Sequence, residues 1–135
     1  MRKAVFPERL IEAETLRPTE QGFCTNLRLT WYRALPLSCV ERITVTVDGT
    51  PVPDEAITLE LDSTGPLSLS VLPSLTDTWW YVLDSALLTV DTATAVEPGD
   101  HEVTVVLGLY IPYLPVGGSP LVNLDTGSAQ LKVAA

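Results

Sequence analysis

The sequence is short of the groups that carry most enzymatic chemistry. It has one histidine, His101, two cysteines, Cys24 and Cys39, and one methionine in 135 residues. A metal centre wants several His or Cys ligands at short spacing, and this chain does not provide them. A Ser-His-Asp triad would have to use His101, but no Gly-x-Ser-x-Gly elbow supplies its serine. Gly117-Gly118 is not a phosphate loop, because it lacks both the motif and a following helix. Asp and Glu are plentiful but mostly alternate outward along the strand patterns, so no glycosidase-type carboxylate pair stands out. His101 follows a Pro-Gly-Asp turn and opens a strand, where its ring is expected to bond to the loop. These absences make catalysis by the chain alone a poor expectation.

Positive charge is scarce too. Lys and Arg total 8 against 17 Asp and Glu, which leaves a net charge of −9. Residues 1–42 hold 7 bases and 5 acids, whereas residues 43–135 hold only Lys132 against 12 acids. Duplex binding needs a basic patch that displaces counterions, so nucleic acid is excluded as a partner, as is an anionic membrane surface. No long apolar run exists. The best stretch, Val103 to Val116, is interrupted by Gly108, Pro112 and Pro115 and is too short to span a bilayer. At the start, Pro7, Glu8 and Arg9 fall where an export signal needs its apolar core. The expectation is a cytoplasmic protein with Cys24 and Cys39 as free thiols in packing roles.

What the chain does have is strand chemistry. Hydrophobic residues make up 46%, which excludes a disordered chain. Val, Ile and Thr number 15, 4 and 16, and 11 prolines would break long helices. Phe23, Thr25, Leu27, Leu29 and Trp31 alternate with polar residues, predicting a long strand from Gly22 to Tyr32. Ile43, Val45 and Val47 alternate next and end at Asp48-Gly49, the two-residue hairpin signal. The return across Pro51 and Pro53 is expected at a sheet edge. Further strands are predicted at Ile57–Leu61, Leu67–Val71, Ala86–Val90 and Val103–Ile111, with a short last one at Leu131–Val133. Pro73 to Tyr81 breaks the rhythm and is expected to hold one helical turn capped by Ser74 or Thr76. The alternation of Ile11, Ala13 and Thr15 suggests an added edge strand. The sum is a single all-β domain, an antiparallel β-sandwich of about eight strands. Its expected core includes Leu27, Leu29, Trp31, Val45, Val47, Val105, Leu107 and Leu109.

Aromatics supply the other signal. Trp79, Trp80 and Tyr81 stand in a row, so an extended backbone must send at least one to the surface. Tyr110 and Tyr113 flank Ile111-Pro112. Such rings suit a carbohydrate platform, a rigid protein–protein anchor, or plugs at the sandwich ends.

The run from Leu27 to Ile43 (LRLTWYRALPLSCVERI), Val45-Thr-Val-Asp-Gly, Leu75 to Trp80, Gly99-Asp-His-Glu-Val and Ile111-Pro-Tyr-Leu-Pro together resemble the small (β) subunits of bacterial C-glycoside deglycosidases. The likeness runs over roughly residues 10–135. It implies a two-subunit carbon–carbon lyase acting on 3-oxo-C-glycosides. The large (α) partner of that family is a TIM-barrel, sugar-isomerase-like protein holding a divalent metal, Mn2+ or Mg2+. The substrate's 3-keto group acidifies the proton on carbon 2 of its sugar, and proton removal leads to loss of the aryl carbon. The metal ligands and the base belong to the α subunit, so the resemblance gives this chain no catalytic residue and no cofactor.

A subunit contact is expected on Ile111, Pro112, Tyr113, Leu114 and Pro115. The two prolines remove ladder donors and stiffen the segment, and Tyr113 offers an amphipathic ring. Trp79, Trp80, Tyr32 and Arg33 rank behind it, because Tyr32 and Arg33 would stand far from Tyr113 were their strands antiparallel neighbours. Two other readings stay open. One is a stand-alone carbohydrate-binding sandwich, favoured if Trp79 and Trp80 share an exposed flat face. The other is a fibronectin type III-like structural module, which would normally be exported.

Overall fold

Eleven strands run through the described residues, and every pairing between them is antiparallel. The computed structural model describes residues 10–116 and 119–134, with side chains described outside residues 113–120. In order the strands are β1 (Arg17–Thr19), β2 (Gly22–Arg28), β3 (Leu35–Pro36), β4 (Val40–Val47), β5 (Thr50–Pro51) and β6 (Ile57–Glu60). They are followed by β7 (Leu67–Ser68), β8 (Trp79–Trp80), β9 (Ser85–Asp91), β10 (Gly99–Val116) and β11 (Ser119–Val133). Sheet orders are β1-β2-β9-β6-β7 and β11-β10-β4-β5, and β3-β8 forms a two-stranded ribbon. The inner rows of the two larger sheets meet in one core. Phe23, Leu27, Ile57, Leu59, Leu88 and Val90 come from one sheet; Ile43, Val45 and alternate residues of β10 come from the other. The expected sandwich is the observed one, with more strands, several shorter and the last two longer than expected.

Local chemistry explains most boundaries. Asp48 and Gly49 have φ of 51° and 83°, the double positive φ of a tight hairpin, and β5 lies at the sheet edge. Of the expected core, all are buried except Val47, which is half-buried near that edge.

The structure corrects several expectations. Strand β2 ends at Arg28, although Leu29 and Trp31 stay buried, because the chain leaves the ladder to cross into the β3-β8 ribbon. Only Leu67–Ser68 pairs as a strand; Leu69–Ser74 is a 3-10 turn, so Ser74 ends a helical turn rather than capping one. The edge strand lies at Arg17–Thr19. Glu14, with φ of 65°, turns the chain, and Ile11 makes an isolated bridge to Leu27. The last strand has 15 residues, not a few. Its inward row includes Asn123, Asp125 and Gly127, which hide the alternation.

Candidate functional site: the aromatic end of the sandwich

Two rungs define this end. Arg28 pairs with Ser85 across β2-β9, and Leu35 pairs with Trp80 across β3-β8. The loops 29–34 and 81–84 connect the same two rungs, so they run side by side. Trp80 is the internal anchor: it is 1% exposed, and its Nε1–H donates to the Asp84 carbonyl at 3.0 Å. The Asp84 N–H in turn donates to the Tyr81 carbonyl at 3.0 Å, closing a turn that pushes its side chains outward. Trp79 is 43%, Tyr81 56% and Leu83 79% exposed. Across from them Tyr32 is 56% exposed and tilts against buried Trp31, with ring centroids 5.0 Å apart.

Glu12 fastens the N-terminal segment to the first rung. Its Oε1 accepts from the Ser85 hydroxyl at 2.5 Å and from Arg28 Nη1 at 3.3 Å. The Ser85 bond, helped by Arg28, holds the Glu12 carboxyl below the usual range.

The same end contains the tip of β10. The Leu37 N–H donates to the Thr78 carbonyl, and Val40 pairs with Leu109. Thus the ribbon, the start of β4 and the residues around Ile111 are neighbours. Strands β2 and β10 belong to different sheets, so Tyr32 and Arg33 stand at the same end as the Ile111 segment, against expectation.

Of the expected contact residues, Tyr32, Arg33, Trp79 and Pro112 are exposed. Trp80 and Ile111 are buried in the core and are not on the surface. The β10-β11 register shifts between Ile111 and Pro115, as removal of the Pro112 donor requires, and pairing resumes at Pro115 with Pro120. The side chains of Tyr113, Leu114 and Pro115 lie outside the described ones. Sequence reasoning left out Leu83, which no pattern marks, and singled out no role for Tyr81.

Chemistry elsewhere is sparse. At the opposite end His101 Nδ1 lies 2.7 Å from Asp48 Oδ2, and Nε2 lies 2.8 Å from the Glu97 carbonyl. Both neighbours are acceptors, so they raise the histidine pKa, the Asp48 bond most. The Asp48 carboxyl is held low, by His101 first and the Glu102 N–H second. His101 bonds to its loop as expected and joins no triad. Asp125 does not point outward: it is 1% exposed, and its Oδ2 accepts from Asn123 Nδ2 at 2.8 Å. The Oδ1 atoms of Asn123 and Asp125 have no hydrogen-bond partner. Among the described residues no three His, Cys, Asp or Glu side chains are placed to hold a metal ion. A cleft of about 520 Å³ between β4 and the 3-10 turn Leu69–Ser74 is lined by Arg42, Ile43, Asp54, Leu72 and their neighbours, none of them aromatic. No helix of the described residues is long and apolar enough to cross a membrane.

Comparison with known proteins identifies the family of this sandwich. A family model described as C-glycoside deglycosidase beta subunit matches residues 2–113. The chain belongs to this family. It is 38% identical over 129 residues to a 3'-dehydrocarminate deglycosidase beta subunit of a Microbacterium species, covering 96% of each chain. It is 36% identical over 121 residues to a C-glycoside deglycosidase beta subunit of Microbacterium trichothecenolyticum, covering 90% of this chain and 91% of that one. A third relative, from Arthrobacter globiformis, is 36% identical over 130 residues, 96% of this chain and 98% of its own length. The family match takes in both loops of the aromatic end and stops in the bulge after Ile111.

Proposed function

We propose that this chain is the non-catalytic β subunit of a heteromeric C-glycoside deglycosidase, a bacterial carbon–carbon lyase of C-glycoside catabolism. Its partner is a TIM-barrel, sugar-isomerase-like α subunit. The observation that carries the reading is membership, over most of the chain, of a family whose relatives are named beta subunits. One relative is named for a 3'-dehydro substrate, in keeping with a sugar oxidised before cleavage.

The chemistry has clear requirements. A keto group at sugar carbon 3 acidifies the proton on carbon 2, and a base removes it. The electron pair then forms the carbon 1–carbon 2 double bond as the bond from carbon 1 to the aglycone carbon breaks. That leaving carbon must receive a proton. A base, an acid and an electrophile are all needed. The one histidine of this chain is engaged by Asp48 and Glu97, and its described carboxylates form no cluster for a cation. No site among the described residues fits a divalent ion, and we assign the ion to the α subunit on the family resemblance. The role left to this chain is to bind and shape the α subunit, with residues 112–115 at the contact. We place the complex in the cytoplasm, in keeping with two free, buried thiols. The shared Trp79–Trp80 face that would favour a stand-alone sugar-binding module is not formed, because Trp80 is internal.

The test is reconstitution. The purified chain alone should neither cleave a 3-oxo-C-glycoside nor retain Mn2+ or Mg2+, and a one-to-one mixture with the α subunit should cleave it. Tyr113→Ala should leave the fold intact and weaken α binding by about 2 kcal/mol or more, as interface anchors do. Stoichiometric metal on the isolated chain, lost on mutating His101, would overturn the reading, as would failure to associate with the α subunit.

A further inference from the structure

The surface of a monomer usually scatters its apolar side chains, with no contiguous patch beyond a few hundred Å². Here the distribution is lopsided. Among the described residues the exposed large hydrophobics are Tyr32, Val71, Trp79, Tyr81, Leu83 and Tyr110. All but Val71 belong to the end that holds the β3-β8 ribbon. Tyr32 and Trp79–Leu83 sit on the paired loops and ribbon. Val71 lies on the 3-10 turn that leads to the Leu75 carbonyl, acceptor of the Ser38 N–H. Tyr110 is one residue past Leu109, the partner of Val40.

We infer that Tyr32, Trp79, Tyr81 and Leu83 form the main seat for the α subunit, continuous with Tyr110 and Pro112. The inference rests on the proposed pairing with an α subunit and adds where that partner sits. From their fractional exposures, these four side chains present on the order of 400–500 Å² of apolar surface, taking 150–250 Å² for a whole ring. That reaches the upper range for a monomer's largest patch. Extended by Tyr110 and Pro112, it approaches the ~800 Å² per partner of a stable protein–protein interface. Trp and Tyr, which dominate the patch, are the side chains that carry binding energy in such interfaces.

The patch is also prearranged. Trp80 pins the ribbon from below through Asp84, and Glu12 ties Ser85 and Arg28 together behind it. Little order remains to be imposed on binding, which lowers its entropic cost. Charge selects the occupant. A second copy of this chain carries the same net −9 and would bring its own exposed Asp77 and Asp84 against those beside the rings, and that repulsion disfavours self-pairing. A different chain, presenting an apolar surface with a neutral or basic rim, fits instead.

The experiment uses the full chain and the sugar-isomerase-like protein encoded in the same genome, with affinity measured by calorimetry. Leu83→Glu and Trp79→Ser should each weaken association at least ten-fold, and together abolish it. The unfolding temperature and β-type circular dichroism of each variant should match the parent. Asp100→Ala, at the opposite end, should leave affinity unchanged. Wild-type affinity in a folded Leu83→Glu/Trp79→Ser double variant would overturn the assignment of the face while leaving the α–β pairing standing. No association of the parent chain would overturn both. A Trp79-dependent homodimer that the α protein does not dissolve would give the face to a second copy.

Discussion

His101 shows how a single residue can look catalytic and act as a clamp. Both ring nitrogens face acceptors, Asp48 Oδ2 and the Glu97 carbonyl, so the charged imidazolium satisfies both and the neutral ring only one. The histidine pKa is therefore raised and that of Asp48 lowered. The signs follow from linkage. The histidine contribution is complete below its unfolded pKa of about 6.5 and is lost as pH rises through the higher folded value. The Asp48 contribution is complete above its unfolded pKa of about 3.9 and is lost as pH falls through the lower folded value. Urea midpoints measured from pH 5 to 9 should fall across the upper part of that range. His101→Gln should flatten the decline, and a decline that persists unchanged in the variant would assign it to another group. The same logic separates Cys39 from redox chemistry. Burial pushes the Cys39 thiol up, so little thiolate forms there near neutrality.

At the scale of elements, two glycines that look alike in the sequence have opposite standing. Gly22 opens β2 with φ of 157°, and a Cβ there would lie 2.0 Å from the Val90 carbonyl oxygen, a backbone atom fixed in β9. Gly108 lies mid-strand in β10, where a Cβ would meet Glu41 Oε1 at 2.3 Å and Leu124 Cδ2 at 2.9 Å, both ends of flexible side chains. Gly22→Ala should therefore cost at least ~2 kcal/mol in strain and displaced pairing, and Gly108→Ala distinctly less. Chemical denaturation of the two variants checks this, and equal losses would contradict it. Such elements also show what was legible in the sequence. Strands with one clean apolar face, β2, β4, β6 and β10, announce themselves because their inward rows are Val, Ile, Leu and Phe. Strand β11 does not, because Asn123, Asp125 and Gly127 interrupt its inward row; it is held in place by pairing along β10 from Gly99 to Ile111. The aromatic end was half legible. The Trp79-Trp80-Tyr81 run required an exposed ring, but only the two shared rungs, Arg28 with Ser85 and Leu35 with Trp80, set Tyr32 beside Leu83.

For the whole molecule, charge is the dominant asymmetry. After residue 42 a single base, Lys132, stands among 12 acids, and the fold gathers Asp48, Asp91, Glu97, Asp100 and Glu102 toward the end away from the aromatic rings. Compaction brings these acids closer than in the unfolded chain, so self-repulsion weighs against the native state. Attraction offsets it weakly. The Arg42–Glu41 pair joins neighbours in sequence, and Arg28–Glu12 is partly solvated, so both belong to the class that contributes little. Added salt should then screen more repulsion than attraction. The Debye length falls from about 10 Å at 0.1 M to about 3 Å at 1 M, less than the spacing between neighbouring strands. The unfolding temperature of the isolated chain should rise with NaCl between 0.05 and 0.5 M, by about 2–6 °C if screening is worth about 1 kcal/mol. Sodium chloride suits the test better than sulfate, which would strengthen apolar burial by exclusion and raise the temperature for another reason. A falling unfolding temperature would mean that the ion pairs outweigh the acidic surface.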